Sequence, residues 1–246
     1  MLKNFKMIIE YDGTAYHGWQ RQREVRSVQG EIEKALLAMT ARQVVLFASG
    51  RTDAGVHACG QAASFRCETE LAPEAIQKGL NSLLPDDIVI KDCRRVDESF
   101  HARYDARSKI YYYKMLNRPL PSAIGRHYAL FIRRKLNIAA MRLAMAHIIG
   151  SHDFRAFEGT GSPRSHTTRN VMAAELTENA EGLVTFKIEA DGFLRFMVRN
   201  IVGTLIDVGL GKTTPEEFKK ILASKDRSQA GATAPAHGLC LMEVKY

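Results

Sequence analysis

Apolar residues along the chain alternate in some stretches and recur every three to four positions in others, and the switch between the two spacings marks the elements. Residues 5–12, FKMIIEYD, mix alternation with β-forming side chains and stop at Asp12-Gly13, which predicts a strand. Ser27 is placed to N-cap a helix carrying Val28, Ile32, Ala35, Leu36 and Met39 on one face. QVVLFAS (43–49) predicts a buried strand and QAASFRC (61–67) another. Pro73 suits a first helical turn, and Ile76, Leu80, Leu83 and Leu84 follow at helical spacing until Pro85-Asp86. DIVIKDCRRV (87–96) predicts the next strand. In the second half, KIYYYKML (109–116), VMAAELTE (171–178), GLVTFKIEA (182–190) and GLCLMEVKY (238–246) predict strands. Helices are predicted over about 137–149, with Ile138, Met141, Leu143, Met145 and Ile148, over 193–209, FLRFMVRNIVGTLIDVG, and from Pro215. GTGSPRSHTTR (159–169) is polar, basic and glycine-containing, which predicts an exposed loop.

The first half therefore runs β-α-β-β-α-β, the split βαβ order of ferredoxin-like and RRM-like folds, and the second half repeats the order without repeating the sequence. The expected fold class is α+β: two βαββαβ units, 1–105 and 106–246, whose antiparallel sheets join edge to edge around a central cleft. The boundary is expected near 97–108.

Composition narrows the partners. Lys plus Arg number 35 against 27 Asp plus Glu, a formal charge of +8, and the basic residues lie within folded-looking segments, such as Arg21 and Arg23, Arg94 and Arg95, and Arg133 to Lys135. That favours a polyanion, with nucleic acid first and a membrane surface second. Cys59, Cys67, Cys93 and Cys240 form no C-x-x-C pair, so no zinc site is expected. MLKNFKMIIEYDG lacks a signal-peptide core, and no segment has the length and apolarity of a membrane span. A cytoplasmic protein with reduced thiols is expected.

Candidate chemistry concentrates in few places. LGKTT (210–214) resembles the end of a phosphate loop, but position 206 is isoleucine where that loop needs glycine, and the segment follows a helix. A helix C-cap is the better reading, and ATP chemistry is not supported. In GRTDAGVHA (50–58), Asp53 is either a turn former bonded to nearby amides or a reagent. Gly50 and Gly55 permit close backbone approach, Arg51 can position a phosphate, and His57 adds a second polar group. Tyr111 and Tyr113 fall on one face of their strand and Tyr112 on the other; such a tyrosine either packs in the core or stacks on an unpaired base. Arg195 and Arg199, four apart on the predicted helix, border an apolar face and either snorkel or pair with a buried acid, for which Asp53 is the natural partner.

YDGTAYHGWQRQ (11–22), SVQGEIEKAL (27–36), SGRTDAGVHACGQAASF (49–65), SFHARYDARSKIYYYKMLN (99–117), SHDFRAF (151–157), FLRFMVRNIVGTL (193–205) and ATAPAHGLCLMEVKY (232–246) together resemble the TruA family of bacterial tRNA pseudouridine synthases, across essentially the whole chain and in the family's motif order. The resemblance implies that Asp53 is the catalytic nucleophile and that Tyr111 contacts the target base. It implies that Arg199 pairs with the acid, that Arg51 helps hold or flip the nucleotide, and that Leu239 is an apolar wall of the pocket. It further implies action on uridines 38, 39 and 40 of the tRNA anticodon stem-loop, a homodimer with RNA lying across both subunits, and no cofactor or metal. Two rivals remain on the residues alone. A non-catalytic pair of RRM-like modules leaves Asp53 beside Arg51 unexplained, and a basic metabolic α/β enzyme lacks every nucleotide and metal motif.

Overall fold

The computed structural model describes residues 1–159, 161 and 166–246. By contact the chain divides into two compact units, Met1–Arg107 with Cys240–Tyr246, and Ser108–Leu239. The chain is mixed α+β with mostly antiparallel pairing.

In the first unit, β1 (Leu2–Tyr11) lies between β4 (Ile88–Val96) and β3 (His57–Glu68), antiparallel to both. On the far side of β3 runs β10 (Leu239–Lys245), parallel to it through Cys240↔His57 and Leu241↔Ala58. Phe5 faces Phe65 across β1 and β3 with stacked rings 5.2 Å apart, and both are buried together with Met7 and Ile9. Helices α1 (Val28–Thr40) and α2 (Pro73–Leu83) cover the sheet with buried Ile32, Leu36, Ile76 and Leu80. The Ser27 side chain accepts from Gly30 N and starts α1. The helices pack so closely that a Cβ on Gly79 would sit 2.3 Å from Met39 Cε.

The expected buried strand over 43–49 is corrected: only β2 (Phe47–Ala48) pairs, antiparallel to β3, and Val45 and Phe47 are exposed while Val44 and Leu46 are buried. The cause lies on α1. Leu46 N donates to Glu33 Oε1, and Leu46 O accepts from Gln29 Nε2, so two helix side chains satisfy the backbone that a ladder would otherwise bond.

In the second unit, β5 (Ser108–Asn117), β9 (Leu183–Ala190), β8 (Thr168–Glu178) and β7 (Gly150–Asp153) pair antiparallel in that order, and β6 (Leu130–Ile132) runs parallel to β5. Neither β6 nor β7 was expected; both are too short to show periodicity. Helix α3 (Ile138–Ala146) ends earlier than expected, and Leu143 points to solvent, since it lies two residues from both buried Met141 and Met145. Helix α4 covers Met197–Gly209, and α5 (Pro215–Ser224) opens with a capping box between Thr214 and Glu217.

One expectation about α4 changes and one holds. The helix starts at Met197, not at 193, because Phe196 takes φ 61° and ψ 3°, so Arg195 lies in the preceding turn and does not share a helical face with Arg199. The GKT segment ends a helix: α4 stops at Gly209, Gly211 adopts φ 72°, and Lys212 Nζ bonds Asp207 Oδ1 at 2.9 Å. Residues 160 and 162–165 of the expected 159–169 loop lie outside the described residues.

Candidate active site

Asp53 sits in the connection from β2 to β3, and both flanks of that connection are fastened. On entry, Ser49 N donates to Ala62 O, Ser49 Oγ donates to Gln61 Oε1, and Gln61 Nε2 donates to Gly50 O. Thr52 is buried, its hydroxyl 2.7 Å from the Tyr11 hydroxyl, and its carbonyl accepts from Trp19 N. Burial pushes the Tyr11 phenol well above its ordinary range, so the hydroxyl keeps its proton. Beyond Asp53 the chain turns back at once: Val56 N donates to Asp53 O, and Gly55, at φ 77°, donates to Tyr16 O.

The segment 13–18 presses on this loop. A Cβ on Gly13 would lie 2.0 Å from Val56 O, and one on Gly18, which has φ 93°, would lie 2.7 Å from Thr52 O and 3.1 Å from the Asp53 carbonyl carbon. His57 is buried at the head of β3, where Nδ1 accepts from Gly13 N at 3.0 Å and lies 3.0 Å from Asp12 Oδ1. His57 therefore braces the segment under the loop. Asp53 itself is half-buried and Arg51 is exposed. The loop backbone on either side of Asp53 is thus fixed by these bonds.

The other three predicted residues belong to the second unit. Tyr111 is buried on β5 with its ring edge-on to Phe193 at 5.0 Å. Tyr113, two residues on, is a core residue: it is fully buried, and its hydroxyl donates to Pro235 O at 2.8 Å. Burial drives the Tyr113 phenol well up, and the positive charge of Arg199 opposes that shift. Arg199, in the first turn of α4, donates Nε–H to Ala234 O at 2.8 Å, and its own carbonyl accepts from Ala234 N. Thr233 Oγ1 donates to Asn200 Oδ1 at 2.7 Å. The segment 232–239 is thus laced to α4 and β5. It closes on Gly238, where a Cβ would lie 2.6 Å from Tyr113 Cζ, and then on buried Leu239.

Arg51 and Asp53 thus share one loop, while Tyr111, Arg199 and Leu239 share one frame. Sequence reasoning missed the supports: Tyr11, Gly13 and Gly18 under the loop, and Ala234 and Pro235 behind Arg199. Their signal was present as YDGTAYHGWQ and ATAPAHGL, motifs whose glycines had no assigned purpose.

The family described as tRNA pseudouridine synthase matches residues 7–105 and 144–246. The tRNA pseudouridine synthase A of Acetivibrio thermocellus is 45% identical over 245 residues, covering 100% of both chains. That of Thermoanaerobacter sp. is 45% identical, again with 100% of both chains covered. That of Shouchella clausii is 46% identical over 239 residues, covering 97% of this chain and 91% of its own. The crystal structure of a Cbf5-Nop10-Gar1 complex overlaps 96% of this chain and 57% of that chain at 12% identity, with a TM-score of 0.38, too low to bear on the fold. The chain is an enzyme of the pseudouridine synthase class. It belongs to the tRNA pseudouridine synthase family.

Proposed function

We propose that this protein isomerises uridine to pseudouridine in tRNA, at positions 38, 39 and 40 of the anticodon stem-loop, with Asp53 as the nucleophile. The observation that carries the proposal is the half-buried Asp53 on a loop clamped by Tyr11, Gly13, Gly18 and Gln61. The reaction breaks the N1–C1′ bond of uridine and joins C5 to C1′; the proton lost from C5 is matched by one gained at N1. No redox equivalent or nucleotide is consumed.

In this reading the Asp53 carboxylate intercepts the electron-poor carbon created as the glycosidic bond opens. Tyr111 lies against the freed uracil, Arg199 supplies the positive charge that keeps the acid ionised, Arg51 holds the everted nucleotide, and Leu239 gives the base an apolar wall. Each unit is read as a ferredoxin-like frame. Everting a stacked uridine costs about a few kcal/mol, and phosphate contacts from a chain of charge +8 offset it. The protein is proposed to act in the cytoplasm as a homodimer.

The test is Asp53→Asn, which keeps shape and removes charge. Pseudouridine formation in uridine-labelled tRNA is expected to vanish while tRNA binding stays near the wild-type value. Conversion by the variant would reduce Asp53 to a turn residue, and binding without conversion by the wild type would favour a non-catalytic RNA-binding protein.

A further inference from the structure

Among the described residues, four that are not glycine adopt positive φ: Glu24, Ala41, Phe196 and Lys225. Ala41 and Lys225 end α1 and α5, where a left-handed residue is the usual stop. Phe196 begins a helix, and the N-caps of α1 and α5, Ser27 and Thr214, are extended. An aromatic side chain in this conformation is costly, and the Phe196 side chain forms no capping bond. Burial is not the compensation, because the residue is half-exposed and lines a cavity of about 520 Å³ with Gly159, Asp226, Arg227, Ser228 and Thr233.

The ring's contacts supply the reason. The Arg199 guanidinium carbon lies 5.0 Å from the ring centroid and that of Arg195 4.6 Å, both within cation–π range. Gly159 makes room: a Cβ there would lie 2.5 Å from Phe196 Cδ2, and Gly159 N donates to Arg195 O at 2.8 Å. The left-handed turn thus places an aromatic ring against Arg199, whose Nε–H is already tied to Ala234 O.

We propose that Phe196 is a positioning residue: its strained backbone holds the ring against Arg199 and, with Ala234, fixes the guanidinium in its working orientation. This rests on the role given to Arg199 above. The step served is charge stabilisation at the acid and the uridine, so the effect belongs in turnover rather than in tRNA affinity.

The experiment compares Phe196→Ala and Phe196→Gly, which remove the ring, the second also relieving φ, with Phe196→Tyr, which keeps the ring. In single-turnover conversion, the first two are expected to lose about 10-fold or more in rate, equivalent to about 1.4 kcal/mol. Their tRNA Kd is expected to stay within about 3-fold and Phe196→Tyr to keep near-wild-type rate, since only a transition-state interaction is touched. Added to Arg199→Ala, Phe196→Gly is expected to cost nothing more. Wild-type rate in Phe196→Gly, additivity with Arg199→Ala, or a loss of melting temperature that parallels the rate loss and is shared by Phe196→Tyr would each overturn the proposal. An NMR readout stands apart from activity: the Arg199 Nε–H resonance is expected to move in Phe196→Gly and not in Phe196→Tyr. An unmoved resonance overturns the positioning role, whereas a wild-type protein that shifts this resonance but makes no pseudouridine overturns the assigned reaction instead.

Discussion

Replacing Gly203 with alanine tests how the second unit holds its 232–235 segment. In an ordinary helix interior, Gly→Ala stabilises by about 1 kcal/mol. At Gly203 in α4 the new Cβ would lie 1.7 Å from Ala232 O and 3.4 Å from Ala234 N, so the 232–235 segment has to retreat by more than an ångström. Among the described residues, five bonds tie that segment down: Ala234 N to Arg199 O, Arg199 Nε to Ala234 O, Thr233 Oγ1 to Asn200 Oδ1, Arg227 Nη2 to Thr233 Oγ1, and Tyr113 OH to Pro235 O. Overpacking costs about 1–3 kcal/mol, and each bond lost or stretched costs about 1 kcal/mol. Less the helix gain, Gly203→Ala is expected to destabilise by roughly 2–5 kcal/mol, the reverse of the sign that propensity gives. Urea unfolding followed by far-UV circular dichroism measures it; the single tryptophan, Trp19, reports the first unit and does not suffice. Gly211→Ala is the control: φ is 72° there but nothing lies within 4 Å, so only a backbone penalty of about 1–2 kcal/mol is expected. If Gly203→Ala unfolds within about 1 kcal/mol of wild type and keeps its turnover, the clamp on Arg199 is not as described.

Three further outcomes follow from other parts of the molecule. Lys6 is buried with its amine 3.4 Å from the centroid of the Tyr246 ring and 5.3 Å from that of Phe100, and burial, helped by the nearby Arg94 charge, pushes its pKa down to about 8. Between pH 8 and 10.5 the unfolded chain binds more protons at this site than the folded one, so this group makes stability rise with pH across that window. Lys6→Met removes the rise and gains on the order of 1–2 kcal/mol at pH 7, read from the difference between the two unfolding curves. In Gly13→Ala, a Cβ 2.0 Å from Val56 O displaces the Asp53 loop, and single-turnover conversion is expected to fall at least about 100-fold while tRNA binding is retained. Cys59 and Cys240 have sulfurs 3.5 Å apart and are half-buried, whereas Cys67 and Cys93 are buried. Diamide, which accepts two electrons and two protons, is expected to join the first pair, and mass spectrometry of Cys240→Ser should show no such product.

Element types were legible where periodicity ran long: β1, α1, α2 and β9 each carry several turns or alternations of one pattern. Local spacing fails where a neighbour in space decides. Residues 43–46 carry the apolar side chains of a strand, yet Gln29 and Glu33 take up the Leu46 backbone. FLRFMVRN has a continuous helical apolar face, yet Phe196 breaks the helix between the two arginines. Periodicity marks 238–246 as a strand without saying that its neighbour in the first unit is β3. Around the site, the acid and arginine were visible because glycines and charge are unusual side by side. The supports were not, because Gly13, Gly18 and Gly203 matter through carbonyls far along the chain that nothing local points to.

The first unit is assembled from two stretches separated by residues 108–239. A ribosome elongating at about 5–20 residues per second needs roughly 7–26 s to bridge that interval. Throughout that delay the margin of β3 destined for β10 stays uncovered, with Gly60 waiting for Met242, whose carbonyl a Cβ would approach to 2.4 Å. Until β10 arrives this half of the enzyme is unfinished, and its open margin is exposed to capture by chaperones or by a strand of a neighbouring nascent chain.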